Sequence, residues 1–191
     1  MKIKLSLFLI WGFLTLHAQE NKSHSTSVEK SIFGVQTGIL GVWVNNESKI
    51  NPRLTLRSEI GMDAGIWGNS YNDDLGLIFT PVLTLEPRFY YNLEKRDSKS
   101  KRIENNSGNF ISVKTSFHPD WFVISTEDNL SVIEDLTIIP TWGIRRNLGE
   151  SFNFEAGFGI GYQYTFAKNI GYANNHSDVA ANLNLRIGYS F

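Results

Sequence analysis

The sequence predicts an all-β protein, a closed antiparallel transmembrane β-barrel for which we expect eight strands. Apolar and polar residues alternate with a period of two over segments longer than the usual soluble strand of about five or six residues. Aromatic residues make up 13% of the chain, and Gly occurs 16 times, a composition that favours strands over disorder. Beyond the N-terminal segment, no run approaches the ~18 consecutive apolar residues of a membrane-spanning helix.

The first residues of the chain predict export. Lys2 and Lys4 precede an apolar stretch, 5–16, that is too short to span a bilayer as a helix, and Ala18 is a small residue suited to signal peptidase. The alternative is a buried N-terminal helix. The chain contains no Cys, so an exported domain must be stabilised by a large core or by a membrane. We therefore expect the following division: a signal peptide over 1–18, a polar N-terminal segment over 19–30 and the barrel domain over 31–191.

The clearest alternation covers residues 152–166, where an aromatic and aliphatic face opposes a face of polar residues and Gly. That length matches a tilted membrane strand that extends beyond the lipid. Pro81, Pro87 and Pro140 lie inside other alternating segments and indicate bulges there, because Pro lacks the N–H that a ladder needs. The other segments with strand character are 32–44 (apolar on both faces), 53–66, 77–91, 110–117, 136–147 and 182–191.

These seven segments leave the strand count one short, because bacterial single-chain barrels have an even number of strands. Either a further strand lies before residue 32, or one of the segments contains two strands. If the C-terminus is periplasmic, the connections alternate between the two sides of the membrane. The segments 45–52, 93–109 and 147–151 are then periplasmic, and 67–76, 124–135 and 167–178 face outside.

The last segment ends in a pattern that is typical of one class of membrane protein. Its apolar face consists of Leu183, Leu185, Ile187, Tyr189 and Phe191. A final strand that ends aromatic-x-aromatic with a last Phe resembles the C-terminal signal of outer-membrane β-barrel proteins. In that class the barrel-assembly machinery reads this signal. The stretches PRFYYNLEKR, NNSGNF and PTWGIRRNLGESFNFEAG also resemble a family of outer-membrane barrels to which no activity is assigned, and this resemblance covers most of 31–191.

The resemblance implies a place in the outer membrane of a Gram-negative bacterium. Outer-membrane lipid and, during biogenesis, the assembly machinery are the partners it implies, and it supplies no active site. We expect a structural or loop-mediated binding role, with no cofactor, no metal site and no enzymatic activity. The near-neutral charge of −1 argues against a nucleic-acid partner.

The polar faces of the segments carry charged residues that are predicted to point into the barrel. The interior of an eight-stranded barrel is just wide enough for side chains to fill, and charges buried there need partners. We therefore expect a structural network of salt bridges without an open pore; a narrow-pore transporter is an alternative. The residues are Arg57, Glu59, Asp63, Glu86, Arg88, Lys114, Arg145, Glu155 and Arg186.

A second alternative function is a lipid-modifying enzyme of the acyl hydrolase type. Some eight-stranded outer-membrane enzymes use a Ser, a His and a carboxylate, and the candidates here are Ser116, His118 and Asp120. Nucleophilic chemistry needs the base within hydrogen-bond reach of the hydroxyl. On a straight strand Ser116 and His118 share a face about 7 Å apart, so this hypothesis requires a bend, which Pro119 could supply.

The segment 93–109 is the least typical part of the predicted topology, because periplasmic turns are usually short. We expect a solvated turn, and docking onto a periplasmic partner or an anionic head group is the alternative. The basic residues of this segment are Lys95, Arg96, Lys99, Lys101 and Arg102.

Deleting Phe191 tests the predicted assembly signal. Burial of a Phe side chain is worth roughly 1.5–3 kcal/mol, so the shortened chain should still refold in detergent. We expect it to reach the outer membrane of cells in reduced amount, as measured by fractionation and immunoblotting. Arg186→Ala is the control in the same strand, and it should lower thermal stability with much less effect on insertion. Normal outer-membrane levels of the deletion variant would contradict the prediction.

Overall fold

In a computed structural model, the chain forms a ring of eight antiparallel strands. The structure describes residues 26–69, 74–125 and 131–191; the predicted signal peptide over 1–18 and the following residues 19–25 lie outside them. A two-residue strand, β6 (Ile124–Ser125), pairs with Ile78 and Phe79 beside the ring. The ring strands are β1 (Ser31–Gly38), β2 (Gly41–Asn51), β3 (Leu54–Asn69), β4 (Asp74–Tyr90), β5 (Asn109–His118), β7 (Asp135–Leu148), β8 (Phe152–Thr165) and β9 (His176–Ser190).

Each ring strand pairs with the ring strands before and after it in the chain, and β9 pairs with β1 to close the ring. The all-β fold and the count of eight strands are thereby confirmed. The strand that the sequence left unassigned comes from the segment 32–44, which contains two strands, β1 and β2, joined by a turn at Ile39 and Leu40. The segment appeared apolar on both faces because the inward positions are even-numbered in β1 and odd-numbered in β2, so that Val35 and Val42 both point outward.

The predicted connection over 45–52 is wrong. β2 continues through it to Asn51, and only Pro52 and Arg53 separate β2 from β3. Its alternation persists here, with Asn45 and Glu47 buried. A strand with polar residues on both faces has no alternation of apolar and polar residues, so its sequence resembles that of a loop. This explains the error.

The three prolines do not shift the strand register, so the expected bulges are absent at these positions. Pro81 and Pro87 lie in a continuous register between β3 and β4, and Pro140 lies in a continuous register between β5 and β7. On their other sides, the β4–β5 ladder skips Pro87 and the β7–β8 ladder skips Pro140 without changing register. Pro81 lies between the last β4–β5 pair, at Leu83, and the pairing of Phe79 with Ile124. Each Pro thus leaves a local gap in one ladder, where its missing N–H is not required.

The ring has two ends that differ in construction. The terminal end carries the start of β1, the end of β9, the turns at 52–53 and 149–151, and the segment 91–108. The loop end carries the turn at 39–40 and the connections between β3 and β4, β5 and β7, and β8 and β9. The connections therefore alternate between two ends as expected for an up-and-down arrangement.

The segment 91–108 is folded and closes the terminal end. It contains the helix α1 (Leu93–Asp97) and a 3-10 turn (Glu104–Asn106). The expected solvated turn describes only its outer side, where the basic residues other than Arg96 are exposed. Its inner side contributes to a hydrophobic cluster, which we call the terminal cluster, of Val28, Tyr90, Leu93, Ile103 and Phe110.

Gly143 makes room for this cluster. A Cβ at Gly143 would lie 2.4 Å from the Phe110 ring, so only Gly lets the ring pack against β7 here.

Within the part of the chain that the structure describes, no helix is both long and apolar enough to cross a membrane.

Candidate functional site in the ring interior

The interior of the ring is filled by charged side chains that pair with one another. Four Arg and four Glu are almost completely buried, and their formal charges cancel. Burial of a single unpaired charge is prohibitively costly, so such an interior requires partners for every member. We call this set the interior charge network, and it consists of Arg57, Arg88, Arg145, Arg186, Glu47, Glu59, Glu86 and Glu155.

Glu155 lies at the centre of the network. One of its carboxylate oxygens, Oε1, is 3.1–3.2 Å from guanidinium nitrogens of Arg57, Arg88 and Arg145. Arg88 also donates a hydrogen bond to the other oxygen, Oε2, at 3.2 Å. These four residues come from β3, β4, β7 and β8, so one carboxylate connects opposite parts of the ring wall.

Glu47 connects the network to the terminal end. Its Oε1 accepts hydrogen bonds from the Tyr90 hydroxyl at 2.9 Å, the Thr55 hydroxyl at 3.0 Å and the Asn106 amide at 2.7 Å. Its Oε2 lies 3.1 Å from the Arg145 guanidinium. Asn106 has a φ of 59°, in the left-handed region that Asn tolerates well, and this places its amide inside the ring.

The two remaining carboxylates each hold an Arg by a close ion pair. Glu59 lies 2.6 Å from Arg57 and 2.8 Å from Arg186, and Glu86 lies 2.8 Å from Arg88. Two of the guanidinium groups also stack on aromatic rings, since Arg186 lies 3.6 Å from the Trp43 ring centroid and Arg88 lies 4.3 Å from that of Phe110.

Neutral side chains complete the network, so that every strand of the ring contributes to it. Gln36 of β1 accepts a hydrogen bond from Arg57, and Ser112 of β5 donates one to Glu86 at 2.6 Å. Gln36 also donates to Asn153 of β8 at 2.9 Å. Charge pairing and ring closure are therefore coupled, because each strand supplies a partner that another strand needs.

Of the nine residues that the sequence predicted to face inward, seven belong to this network. The other two, Asp63 and Lys114, lie towards the loop end and are partly exposed. The sequence prediction omitted Glu47, because 45–52 was assigned to a connection. The alternation of Trp43, Asn45 and Glu47 was the signal that could have identified it.

The residues proposed for acyl hydrolysis are not connected as that chemistry requires. The Ser116 hydroxyl hydrogen-bonds with Thr84 at 2.8 Å. The ring nitrogens of His118 contact Asp135 at 3.0 Å and Asp63 at 3.2 Å. Both His nitrogens therefore face carboxylates rather than the Ser116 hydroxyl, and Asp120 is exposed. Among the described residues, no group of three or more His, Asp or Glu side chains is arranged to hold a metal ion.

The residues of the predicted assembly signal lie on the outer surface. Phe191 donates its backbone N–H to the carbonyl of Phe33 at 2.9 Å, and its ring packs against those of Phe33 and Tyr189. All of the predicted signal residues are exposed, in contrast to Arg186 in the same strand; they are Leu183, Leu185, Ile187, Tyr189 and Phe191.

Comparison with known protein families, with curated proteins and with solved structures finds no match to this chain.

Replacing Glu155 with Gln tests the role of the central carboxylate. The variant keeps the size of the side chain but leaves three guanidinium groups around a neutral amide. We expect the free energy of unfolding to fall by about 3–5 kcal/mol, the usual effect of breaking a buried ion pair, as measured by urea unfolding. Glu150→Gln, in the exposed turn between β7 and β8, is the matched control and should change stability little. Equal stability of the two variants would show that the network is not stabilising.

Proposed function

We propose that this protein is an integral β-barrel of the outer membrane of a Gram-negative bacterium, with a structural or loop-mediated binding role and without an open pore. The observation that carries the proposal is the reversed polarity of the ring. Its interior holds eight buried charges, whereas apolar side chains cover its exterior. A water-soluble domain has the opposite arrangement, while a lipid-facing barrel requires this one.

Apolar side chains form a continuous surface around the outside of the ring. Every ring strand contributes at least two of them, so they surround the ring, whereas a soluble monomer usually exposes only limited apolar patches. Lipid is a partner that surrounds a protein on all sides in this way. Examples in strand order are Phe33, Val35, Val42, Val44, Leu56, Ile60, Leu77, Leu85, Ile111, Val113, Ile138, Trp142, Phe158, Ile160, Leu183 and Leu185.

Exposed aromatic residues are found at both ends of this apolar surface. Aromatic belts of this kind mark the two membrane–water interfaces of outer-membrane barrels. The terminal end has Phe33, Tyr91, Phe152, Tyr189 and Phe191. The loop end has Trp121, Phe122, Tyr162 and Tyr172.

The contents of the ring favour a closed interior over a transporter. The interior charge network and the terminal cluster occupy successive levels, and the segment 91–108 covers the terminal end. In the proposed orientation the terminal end faces the periplasm. The longer connections at the loop end, 119–134 and 166–175, then face outside and are the parts available for a binding role.

The location is tested by fractionation and by a matched pair of variants. The protein should fractionate with outer membranes and show heat-modifiable mobility on a gel. Ile138→Arg places a charge on the lipid face of β7, outside the predicted assembly signal, which costs about 2–4 kcal/mol near the bilayer midplane. Thr137→Arg, the adjacent residue on the inner face, should insert more efficiently. Recovery as a soluble periplasmic protein, or equal insertion of the two variants, would refute the proposal.

The closed interior is tested separately by electrical recording. Purified protein in planar bilayers should show no steady single-channel conductance, because paired side chains fill the cross-section of an eight-stranded ring. Large and reproducible openings would support the narrow-pore transporter instead.

A further inference from the structure

The wall of the ring has a notch above the hairpin formed by β1 and β2. β1 has 8 residues and β2 has 11, whereas the flanking strands β9 and β3 have 15 and 16. β9 pairs with β1 only from Arg186 onward, and β3 pairs with β2 only as far as Asp63. In the described parts of the chain, residues 176–185 of β9 therefore pair with β8 alone. Among the residues that the structure describes, two strand positions are missing here, which corresponds to a width of about 14 Å.

The hairpin turn at the base of the notch is apolar. Two-residue turns that face water usually contain Asn, Asp or Gly. Here the turn residues are Ile39 and Leu40, and they are 75% and 48% exposed. Gly38 and Gly41 flank them, and Gly41 has a φ of 141°, so the tight turn places its two apolar residues at the tip. This composition suits surroundings of hydrocarbon rather than water.

A cavity of about 440 Å³ lies behind the notch. Eight consecutive residues of β9, 179–186, line it, so the cavity runs along the unpaired edge of the strand rather than along one face. Its inner lining combines the polar side chains of Lys114, Ser116 and Asn182 with buried apolar residues such as Trp43. Ile39, Leu40 and Leu183 line it near the outer surface. In a bilayer, an unpaired strand edge is tolerated where it lines such a cavity.

Lys114 contributes an unpaired positive charge to the lining of the cavity. All the other charged side chains of the interior have at least one ion pair, including Asp63 with His118. Lys114 lines the cavity and is the one interior charge in the described ranges for which no hydrogen bond or ion pair is found. Three carboxylates and one guanidinium group are within electrostatic reach of its ammonium group. The carboxylates of Glu59, Asp63 and Glu86 already pair with Arg186, His118 and Arg88, respectively. The guanidinium group, that of Arg186, adds a second positive charge near the ammonium group.

We infer that the notch is a lateral port that binds a long-chain fatty acid from the bilayer. The carboxylate pairs with the Lys114 ammonium inside the ring, and the acyl chain passes over Ile39 and Leu40 into the membrane. A single unpaired cation among carboxylates favours a monoanion with a small head group over a phosphate dianion or a bulky phospholipid head group. The inference rests on the proposed function, because only a membrane-embedded ring presents this notch to hydrocarbon.

Binding of radiolabelled palmitate by the full chain in phosphatidylcholine nanodiscs tests the inference. Empty nanodiscs give the background from partitioning. We expect saturable binding that hexadecanol, which lacks the charge, displaces poorly. Lys114→Met should weaken binding about tenfold or more, and Lys114→Arg should retain most of it. Lys95→Met, which removes an exposed charge from α1 at the terminal end, is the control and should bind like the parent chain.

The possible outcomes separate the inference from the function on which it rests. If the chain fails to enter the bilayer or lacks heat-modifiable mobility, the proposed function fails and the port fails with it. If it inserts normally but Lys114→Met binds palmitate as well as the parent, the inference alone is refuted. Equal displacement of palmitate by hexadecanol, or stronger displacement by phosphatidylglycerol, also refutes it. The displacement experiments with hexadecanol and phosphatidylglycerol use the unmodified chain. They therefore test the inference even if a Lys114 variant does not fold.

Discussion

The contact of Glu155 with three guanidinium groups is the interaction on which the rest of this structure depends. Arg57, Arg88 and Arg145 cannot be buried together without a negative charge between them, because their mutual repulsion adds to the cost of desolvation. Their partners come from distant parts of the chain; Arg57 and Glu155 are 98 residues apart. The pairing is complete only when the ring is closed. The ion pairs of the interior therefore stabilise the closed ring as a whole rather than any single pair of strands.

The same constraint explains why the two ends of the ring differ. At the terminal end, Glu47 receives four donors and links the charges to the folded segment 91–108 through Asn106. The terminal cluster then separates these charges from solvent. Towards the loop end the pairing becomes sparser, with Asp63 and His118 partly exposed and Lys114 left without a direct partner. From the terminal end to the loop end, the interior thus changes from a network of paired charges to a cavity.

The exterior follows from the interior through the geometry of the strand. Successive side chains of a strand point to opposite faces, so a ring that collects charges inside must present the intervening residues outside. In this chain those residues are aliphatic and aromatic, which suits lipid. The short β1–β2 hairpin is the place where the wall is interrupted. The apolar outer surface and the polar interior adjoin each other there, and this is where we propose that an amphiphile binds.

The period-two alternation was sufficient to predict an all-β fold, most of the ring strands and seven of the eight members of the interior charge network. This success has a simple cause, because the direction of a side chain on a strand depends only on its position in the alternation. The turn at Ile39 and Leu40 escaped prediction, since it lacks the residues by which turns are usually identified. That omission displaced the boundaries of β2 and concealed Glu47. The tertiary structure alone decided which charges pair, how the segment 91–108 closes one end, and where the wall is notched. These features depend on strand register and on ring closure, which bring together residues that are far apart in the chain.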